Sequence, residues 1–336
     1  METNTKRIAF LDMTKFFAIF CVILGHATVN GHLYEFIYSF HMPLFMVVSG
    51  YFMGKSFTLS PILFLKKKAI QLLLPVLTFS ILFVSFHNSI YTYITDKESI
   101  NFFQYLFGGW MWFLKYLFIC LVIAYACKKI FRNDAVAAIL PTIILLMSTR
   151  ATIFKLLPFL WLGYFLCKYN DIIFKHSKAI LAGSFVLFIF FLSVWNQDYD
   201  SPHYRIIFFN TPIRLDFQNL IILLIRLGVG AFGSLFFITL IKVILDYIKT
   251  GKFLQLCCST GRNTLGIYCI QIYILEFGLD HLHLSFAFPG SVFVQVLYAI
   301  AILIVCDIIV RFINKNKWTA LFMLGHSCQR NTNKSN

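Results

Sequence analysis

Charged residues are scarce in this chain of 336 residues. Asp, Glu, Lys and Arg together make up only 13% of it, whereas about 25% is usual in soluble globular proteins. Hydrophobic residues make up 59%, and the mean hydropathy is +0.78. A soluble fold of this size cannot bury so large an apolar fraction, because its surface area grows almost as fast as its volume. The scarcity of charge therefore argues against a soluble enzyme and indicates an integral membrane protein.

Acidic residues are scarcer than basic ones: the chain has 14 Asp and Glu but 29 Lys and Arg, which gives a formal net charge of +15. Such an excess also occurs in proteins that bind nucleic acids or anionic lipids. Here, however, the basic residues occur in short runs between apolar stretches, which is the pattern of cytoplasmic loops in membrane proteins. We therefore expect membrane lipid as a partner and no nucleic acid.

Metal-binding and redox motifs are missing. The nine Cys residues form no C-x-x-C pair, and most of them lie inside apolar segments, where a thiol behaves as a small hydrophobic side chain. His281 and His283 would need further ligands to hold a metal, and no clear candidates adjoin them. The sequence therefore predicts no metal site and no bound cofactor.

A polar segment long enough to fold as a soluble domain is missing as well. A helix that crosses a bilayer needs about 20 mostly apolar residues, and such stretches recur along the whole chain. We predict an all-α polytopic membrane bundle of about ten transmembrane helices, which forms a single domain over residues 1–336. The predicted spans are 9–28, 36–54, 69–87, 111–127, 135–149, 152–168, 177–195, 217–245, 263–279 and 291–312.

The distribution of basic residues predicts the orientation of these spans. With the N-terminus in the cytoplasm, 21 of the 29 Lys and Arg residues fall on the inner side and 4 on the outer side, and the remainder lie within spans. Cytoplasmic loops are the ones that carry excess Lys and Arg. We therefore predict that both termini are cytoplasmic in a multi-pass protein of the cell membrane, the bacterial cytoplasmic membrane in particular.

The first predicted span contains three ionisable residues, Asp12, Lys15 and His26. Each such group inside a bilayer costs at least about 2.5 kcal/mol, so it is a candidate for function. Lys15 and His26 lie within about 20° of one helix face and about 16 Å apart along the axis. Asp12 is one turn from Lys15 and can pair with it. The alternative to a functional stripe is a structural ion pair with one interfacial His.

The second predicted span contains His41, Pro43 and the pair Ser49-Gly50. Proline is tolerated in the first turn of a helix, which would place His41 at the outer mouth of the bundle beside His26. The small residues Ser49 and Gly50 allow close approach, either of a neighbouring helix or of a ligand.

Three further features have two interpretations each. Lys66, Lys67 and Lys68 precede the third span, where they could bind a polyphosphate or anionic headgroups, or only set the topology. Trp112 opens the fourth span, either as a stacking surface or as part of the interfacial aromatic belt. Arg226 lies inside the eighth span and could bind a substrate or pair with a buried carboxylate.

Together these residues resemble the acyltransferase 3 family of membrane acyltransferases. Its hallmark is a basic residue, ten intervening positions and a His in the first helix, here Lys15 and His26. The stretch YSFHMPLFMVVSGYF (38–52) resembles the branch of fucose 4-O-acetylase-like polysaccharide O-acetyltransferases, and MWFLKYLF (111–118) and GRNTLGIYCIQIYI (261–274) are similar to later segments. The chain departs from the family at Gln271, where many members have His.

The resemblance implies transfer of an acyl group, usually acetyl from cytoplasmic acetyl-CoA, to a hydroxyl of an extracytoplasmic glycan. The acceptor would be a surface polysaccharide or a lipid-linked precursor. Lys15 and the triad Lys66, Lys67 and Lys68 would then bind the acyl donor.

The same resemblance gives His26 the catalytic role. An imidazole has a pKa near working pH and suits a general base, or His26 carries the acyl group as an acyl-imidazole. His41 would assist, and Asp12, Ser49, Trp112 and Arg226 would bind the acceptor or support the site. A transporter or flippase for glycan intermediates is the competing hypothesis, because it also needs intramembrane charge.

Overall fold

The computed structural model describes residues 2–28, 31–92, 98–108, 111–146, 155–196, 217–248, 251–278 and 291–326. Throughout these ranges every regular element is a helix and no strand occurs, which confirms the all-α prediction for them. The α-helices are α1 Glu2–Ala27, α2 His32–Tyr51, α3 Pro61–Lys68, α4 Leu74–Phe86, α5 Phe102–Phe107, α6 Trp112–Ile130, α7 Asp134–Leu146, α8 Leu157–Lys168, α9 Asn170–Lys175, α10 Ser177–Ser193, α11 Phe217–Tyr247, α12 Lys252–Arg262, α13 Thr264–Ile272, α14 Val292–Ile313 and α15 Lys317–Leu324.

Several of these helices are apolar enough to lie in a membrane. Four have both the length and the hydropathy to cross it: Ala9–Ala27, Pro61–Ser89, Leu220–Tyr247 and Val292–Ile313. Four shorter apolar helices accompany them: Asp134–Leu146, Leu157–Lys168, Ser177–Ser193 and Thr264–Leu275. The count of about ten spans, the cytoplasmic placement of both termini and the single domain over 1–336 stay predictions.

The third predicted span begins earlier than expected. Lys66, Lys67 and Lys68 form the last turn of α3, which continues through a π-helical segment, Ala69–Leu73, into α4. Pro75 near the start of α4 has no N–H to donate to the preceding turn, and a π-helical turn keeps the helix continuous there. The three lysines are therefore helical residues, with directions fixed by the helix, and the expectation that they precede the helix of the third span is wrong.

The second predicted span also begins earlier. Helix α2 starts at His32, so Pro43 lies eleven residues inside it and not in its first turn. Pro43 cannot donate a hydrogen bond to the carbonyl of Ser39, yet the helix continues to Tyr51. His41 is consequently a buried residue in the middle of a helix, and the expectation that Pro43 marks the helix start is wrong.

Helices α2 and α8 approach each other closely through glycines. A Cβ added at Gly50 would overlap the carbonyl oxygen of Leu160, and one added at Gly163 would overlap that of Val47. Small residues permit this backbone contact between membrane helices. The predicted packing role is thus present at Gly50, and the contact fixes which way the neighbouring Ser49 points.

Candidate active site

A cavity of about 370 Å³ lies between α1, α2, the helix that runs through Lys68, and helices α6 and α13. Its walls are largely apolar, with Phe45, Phe113, Leu114 and Leu117 among them. Its volume falls in the range of sites for small organic ligands, which are mostly apolar and contain a few placed polar groups. Its polar lining consists of Lys15, Ser49, Lys68, Gln71, Arg262, Thr264 and the hydroxyl-bearing Tyr268.

Three cations from separate helices line this cavity: Lys15 of α1, Lys68 of α3 and Arg262 of α12. The buried carboxylate of Asp12 lies 3.2 Å from Lys15 Nζ and 3.5 Å from Arg262 Nη1. The expected pairing of Asp12 with Lys15 is therefore present. Two of the three cations share this carboxylate, and Lys68 bonds the neutral amide of Gln71. The cavity therefore has an excess of positive charge, which favours an anionic ligand such as a phosphate.

The lysine triad is divided by the geometry of its helix. Lys68 lines the cavity, and its Nζ donates a 3.3 Å hydrogen bond to Gln71 Oε1. Lys66 and Lys67 are exposed and do not line the cavity. Successive residues of a helix point about 100° apart, so one helical turn cannot aim three neighbours at one ligand.

Ser49 of α2 and Lys15 of α1 both line the cavity. Lys15 Nζ stands 4.8 Å from the centre of the Phe52 ring, where the face of the ring attracts a cation. The ammonium group thus has a carboxylate and an aromatic ring beside it. These contacts hold it at the cavity wall.

Arg262 is the cation of the cavity that sequence reasoning missed. Gly261 brings α12 against α1, because a Cβ there would overlap the carbonyl oxygen of Asp12. This contact joins residues about 250 positions apart, so no local pattern could reveal it. The available signal was the pair Gly261-Arg262, a small residue beside a cation just before a predicted span.

The end of α12 is anchored to α14 through Asp307. Its carboxylate accepts hydrogen bonds from Thr260 Oγ1 at 3.1 Å, Asn263 Nδ2 at 2.8 Å and Arg311 Nε at 2.7 Å. Arg311 also donates to Ser259 at 2.9 Å. Three of these contacts join α14 to the segment that presents Arg262, and the Arg311–Asp307 pair within α14 supports them, which makes the position of that segment part of the fold.

The two predicted catalytic histidines lie apart from the cavity. His26 is half-buried near the end of α1, eleven residues beyond Lys15, which is about 16 Å along the helix. His41 is buried on α2 and lies close enough to His26 for their charges to interact. Neither imidazole lines the cavity, so the structure divides the predicted residues into a cationic cavity and a histidine pair.

A hydrogen bond determines the tautomer of His41. Its Nδ1 lies 2.7 Å from the carbonyl oxygen of Ile37, and a carbonyl only accepts, so Nδ1 carries the proton. The neutral ring then has its lone pair on Nε2. The Tyr38 ring packs edge-on against the imidazole at 4.8 Å and restricts its rotation.

Trp112 and Arg226 belong to neither part. Trp112 begins α6 and is 38% exposed, while its neighbour Phe113 lines the cavity. Arg226 is half-buried on α11 and lies close enough to the buried Lys155 for their charges to interact. Their roles toward an acceptor stay predictions.

Metal ligands are not clustered in the part of the chain that the structure describes: it contains no group of three or more His, Cys, Asp or Glu arranged to hold an ion. His281 and His283 lie outside the described residues.

Comparison with known proteins identifies the family of the chain. The sequence profile of an acyltransferase domain, acyltransferase 3, matches residues 8–311, a range that contains every site residue named above. No curated protein and no solved structure matches the chain. Because the profile covers nearly the whole chain and its helices are those of a membrane protein, this protein belongs to the acyltransferase 3 family and is a membrane acyltransferase.

Proposed function

We propose that this acyltransferase transfers an acetyl group from cytoplasmic acetyl-CoA to a hydroxyl of an extracytoplasmic glycan. The acceptor is a surface polysaccharide or its lipid-linked precursor, and the protein belongs to the fucose 4-O-acetylase-like branch of polysaccharide O-acetyltransferases. The observation that carries the proposal is the cavity, in which Lys15, Lys68 and Arg262 leave an excess of positive charge beside apolar walls.

The donor fits this cavity by its chemistry. Phosphate groups form strong charge-assisted hydrogen bonds with ammonium and guanidinium groups, and three such groups line one cavity. The apolar walls suit the uncharged pantetheine arm. The exposed Lys66 and Lys67 attract the anionic donor from a distance.

The reaction is placed at the histidine pair. His26 accepts the proton of the acceptor hydroxyl, whose oxygen forms a C–O bond with the thioester carbonyl carbon. The C–S bond breaks, and the CoA sulfur leaves and takes up the proton from the His26 imidazolium, so charge and atoms balance. In the two-step route a nitrogen of His26 forms an N–C bond with the thioester carbonyl carbon, the C–S bond breaks, and CoA leaves as the thiol with the imidazole proton. The acceptor oxygen then forms the C–O bond as the N–C bond breaks, and the hydroxyl proton returns to the imidazole.

His41 assists His26 in either route. Its Nδ1–H is engaged by Ile37, so its Nε2 is the atom that can accept a proton or a hydrogen bond. The gap of about 16 Å between Lys15 and His26 is the distance over which the donor's pantetheine arm extends. Trp112 and Arg226 contact or support the acceptor.

Acetyl transfer to glycan is tested with membranes that contain or lack the protein. Radiolabelled acetyl-CoA is added, and surface glycans are extracted and analysed by mass spectrometry. We expect label and acetyl mass on glycan only where the protein is present. Glycan that moves across the membrane without gaining label would instead indicate a flippase and refute the proposal.

The proposed orientation, with both termini in the cytoplasm of a cell membrane, has its own test. A cysteine at position 66 should react with an impermeant maleimide only in inside-out vesicles, and Asn30→Cys should react from outside intact cells. Asn30 lies outside the described residues, so its exposure is a prediction from the sequence. Reaction of Lys66→Cys in intact cells would reverse the orientation.

A further inference from the structure

Gln271 is a buried amide for which the described residues supply no hydrogen-bond partner. It lies on α13 and is 0% exposed. Within the described part of the chain neither its Nε2 nor its Oε1 has a hydrogen-bond partner. Buried polar groups in folded proteins are almost always paired, and an unpaired one lowers stability. A side chain that is kept at such a cost is a candidate for binding a ligand.

Gln271 lies on the stripe of α13 that forms one wall of the cavity. Thr264, Leu265 and Tyr268 of this helix line the cavity. Gln271 follows Thr264 by seven residues and therefore points within about 20° of the same direction. It lies about 4.5 Å beyond Tyr268 along the axis, on the side away from the three cations. Gln271 does not itself line the cavity; its amide lies buried one turn beyond the cavity wall.

The chemistry of the side chain selects its partner. Nε2 only donates and Oε1 only accepts, so the complementary group presents an acceptor and a donor side by side. A secondary amide does so, and it carries no charge that would be costly to bury.

We propose that Gln271 binds a secondary amide in the pantetheine arm of the acyl donor. This inference rests on the proposed function, because it needs a CoA thioester as donor. It divides the recognition of the donor between two ends: Lys15, Lys68 and Arg262 bind the phosphates, and Gln271 binds the arm as it enters the bundle.

The experiment compares two ligands that share their phosphates. CoA has the amide-containing arm, whereas adenosine 3′,5′-bisphosphate has two phosphates and no arm. Binding of each is measured by calorimetry on the full-length protein in nanodiscs, for wild type, Gln271→Leu and Gln271→Met. We expect both variants to bind CoA about tenfold more weakly and to bind the bisphosphate as wild type does.

Thr142→Val is the matched control. Thr142 is buried on α7, and its hydroxyl also lacks a partner among the described residues. Unlike α13, helix α7 contributes no residue to the cavity. Replacing an unpaired buried polar group by an apolar one of similar size should maintain or raise thermal stability in all three variants. Only the changes at Gln271 should weaken CoA binding.

Each outcome decides the inference. Unchanged CoA affinity in folded Gln271→Leu and Gln271→Met overturns it, as does an equal loss of affinity for CoA and the bisphosphate. If wild-type protein binds neither ligand and leaves no label on glycan, the donor itself is wrong, and both the proposed function and this inference fail. Wild-type labelling together with normal CoA binding by Gln271→Leu rejects the role of Gln271 alone.

Discussion

The cationic cavity and the histidine pair are built in opposite ways. The cavity takes Lys15, Lys68 and Arg262 from three helices that are distant in sequence, and it balances them against the carboxylate of Asp12. His26 and His41 come from the consecutive helices α1 and α2, in surroundings that bury His41 almost completely. A charged site suits the capture of an anion, and imidazoles suit the transfer of a proton. We infer that binding and chemistry occupy separate parts of this protein.

Helix α1 is the element that joins the two parts. It carries Asp12 and Lys15 at the cavity and His26 eleven residues after Lys15. Because both lie on one helix, the distance between the cavity and His26 is set by that helix and does not depend on the ligand. Changes in the cationic cavity should therefore alter CoA binding, and changes in the histidine pair should alter turnover.

His26 should give the largest effect. His26→Gln retains a hydrogen-bonding side chain of similar size and takes no proton at neutral pH. Loss of a general base typically lowers turnover by about 10²- to 10⁴-fold, and we expect this loss in glycan acetylation with little change in CoA binding. Near-normal acetylation at matched expression would refute the role of His26 and move the search for the base to His41.

His41→Asn is the partner variant for this test. Asn reproduces the Nδ1–H donor that bonds the Ile37 carbonyl but lacks Nε2. A second variant, His41→Ala, removes both ring nitrogens. If His41 only holds α2 in place, His41→Asn should retain the glycan acetylation that His41→Ala loses. If it assists His26, both variants should lose part of the activity.

The next effect should come from Lys68 and should fall on binding. Its ammonium group has the neutral amide of Gln71 as a partner, so its charge is available to a phosphate. Loss of a charged hydrogen bond of about 1.5–3 kcal/mol should weaken CoA binding about 10- to 100-fold in Lys68→Ala and leave turnover at saturating donor nearly unchanged.

The double variant Lys66→Ala, Lys67→Ala is its control. These side chains are exposed and do not line the cavity, so they act only through long-range attraction, which salt screens. A loss of CoA affinity in this double variant equal to that in Lys68→Ala would mean that the triad acts as one charge cluster and that the direction of Lys68 is immaterial.

The sequence alone predicted much of this arrangement. The all-α architecture, the Asp12–Lys15 pair and the placement of Lys15 and His26 on one helix follow from composition and helical periodicity, which are local properties. Arg262 could not be predicted, because Gly261 brings it to Asp12 through a backbone contact between α12 and α1. Such a contact depends on tertiary packing.

Two local expectations failed for a common reason. Pro43 was expected to begin a helix, and the lysine triad was expected to precede one, because Pro and clustered charge usually mark helix ends. In both places the helix continues past the signal, from His32 through Pro43 and from Pro61 through Lys68. Packing of apolar faces in a bundle outweighs these local preferences, so the directions of His41 and Lys68 required the structure.

Replacing Arg262 should give the smallest effect on CoA binding. Its side chain is 60% exposed and 3.5 Å from Asp12, and an ion pair so exposed contributes little to stability. Arg262→Gln should therefore leave the melting temperature nearly unchanged. It should weaken CoA binding only about threefold to tenfold, because Asp12 already uses part of the guanidinium's capacity.

Arg311→Gln is the opposite case: Arg311 bonds Asp307 at 2.7 Å and Ser259 at 2.9 Å and does not line the cavity. It should lower the melting temperature while the folded protein keeps its CoA affinity. If Arg262→Gln instead lowered the melting temperature and kept its CoA affinity, as we expect of Arg311→Gln, Arg262 would be structural. The donor's phosphates would then depend on Lys15 and Lys68 alone.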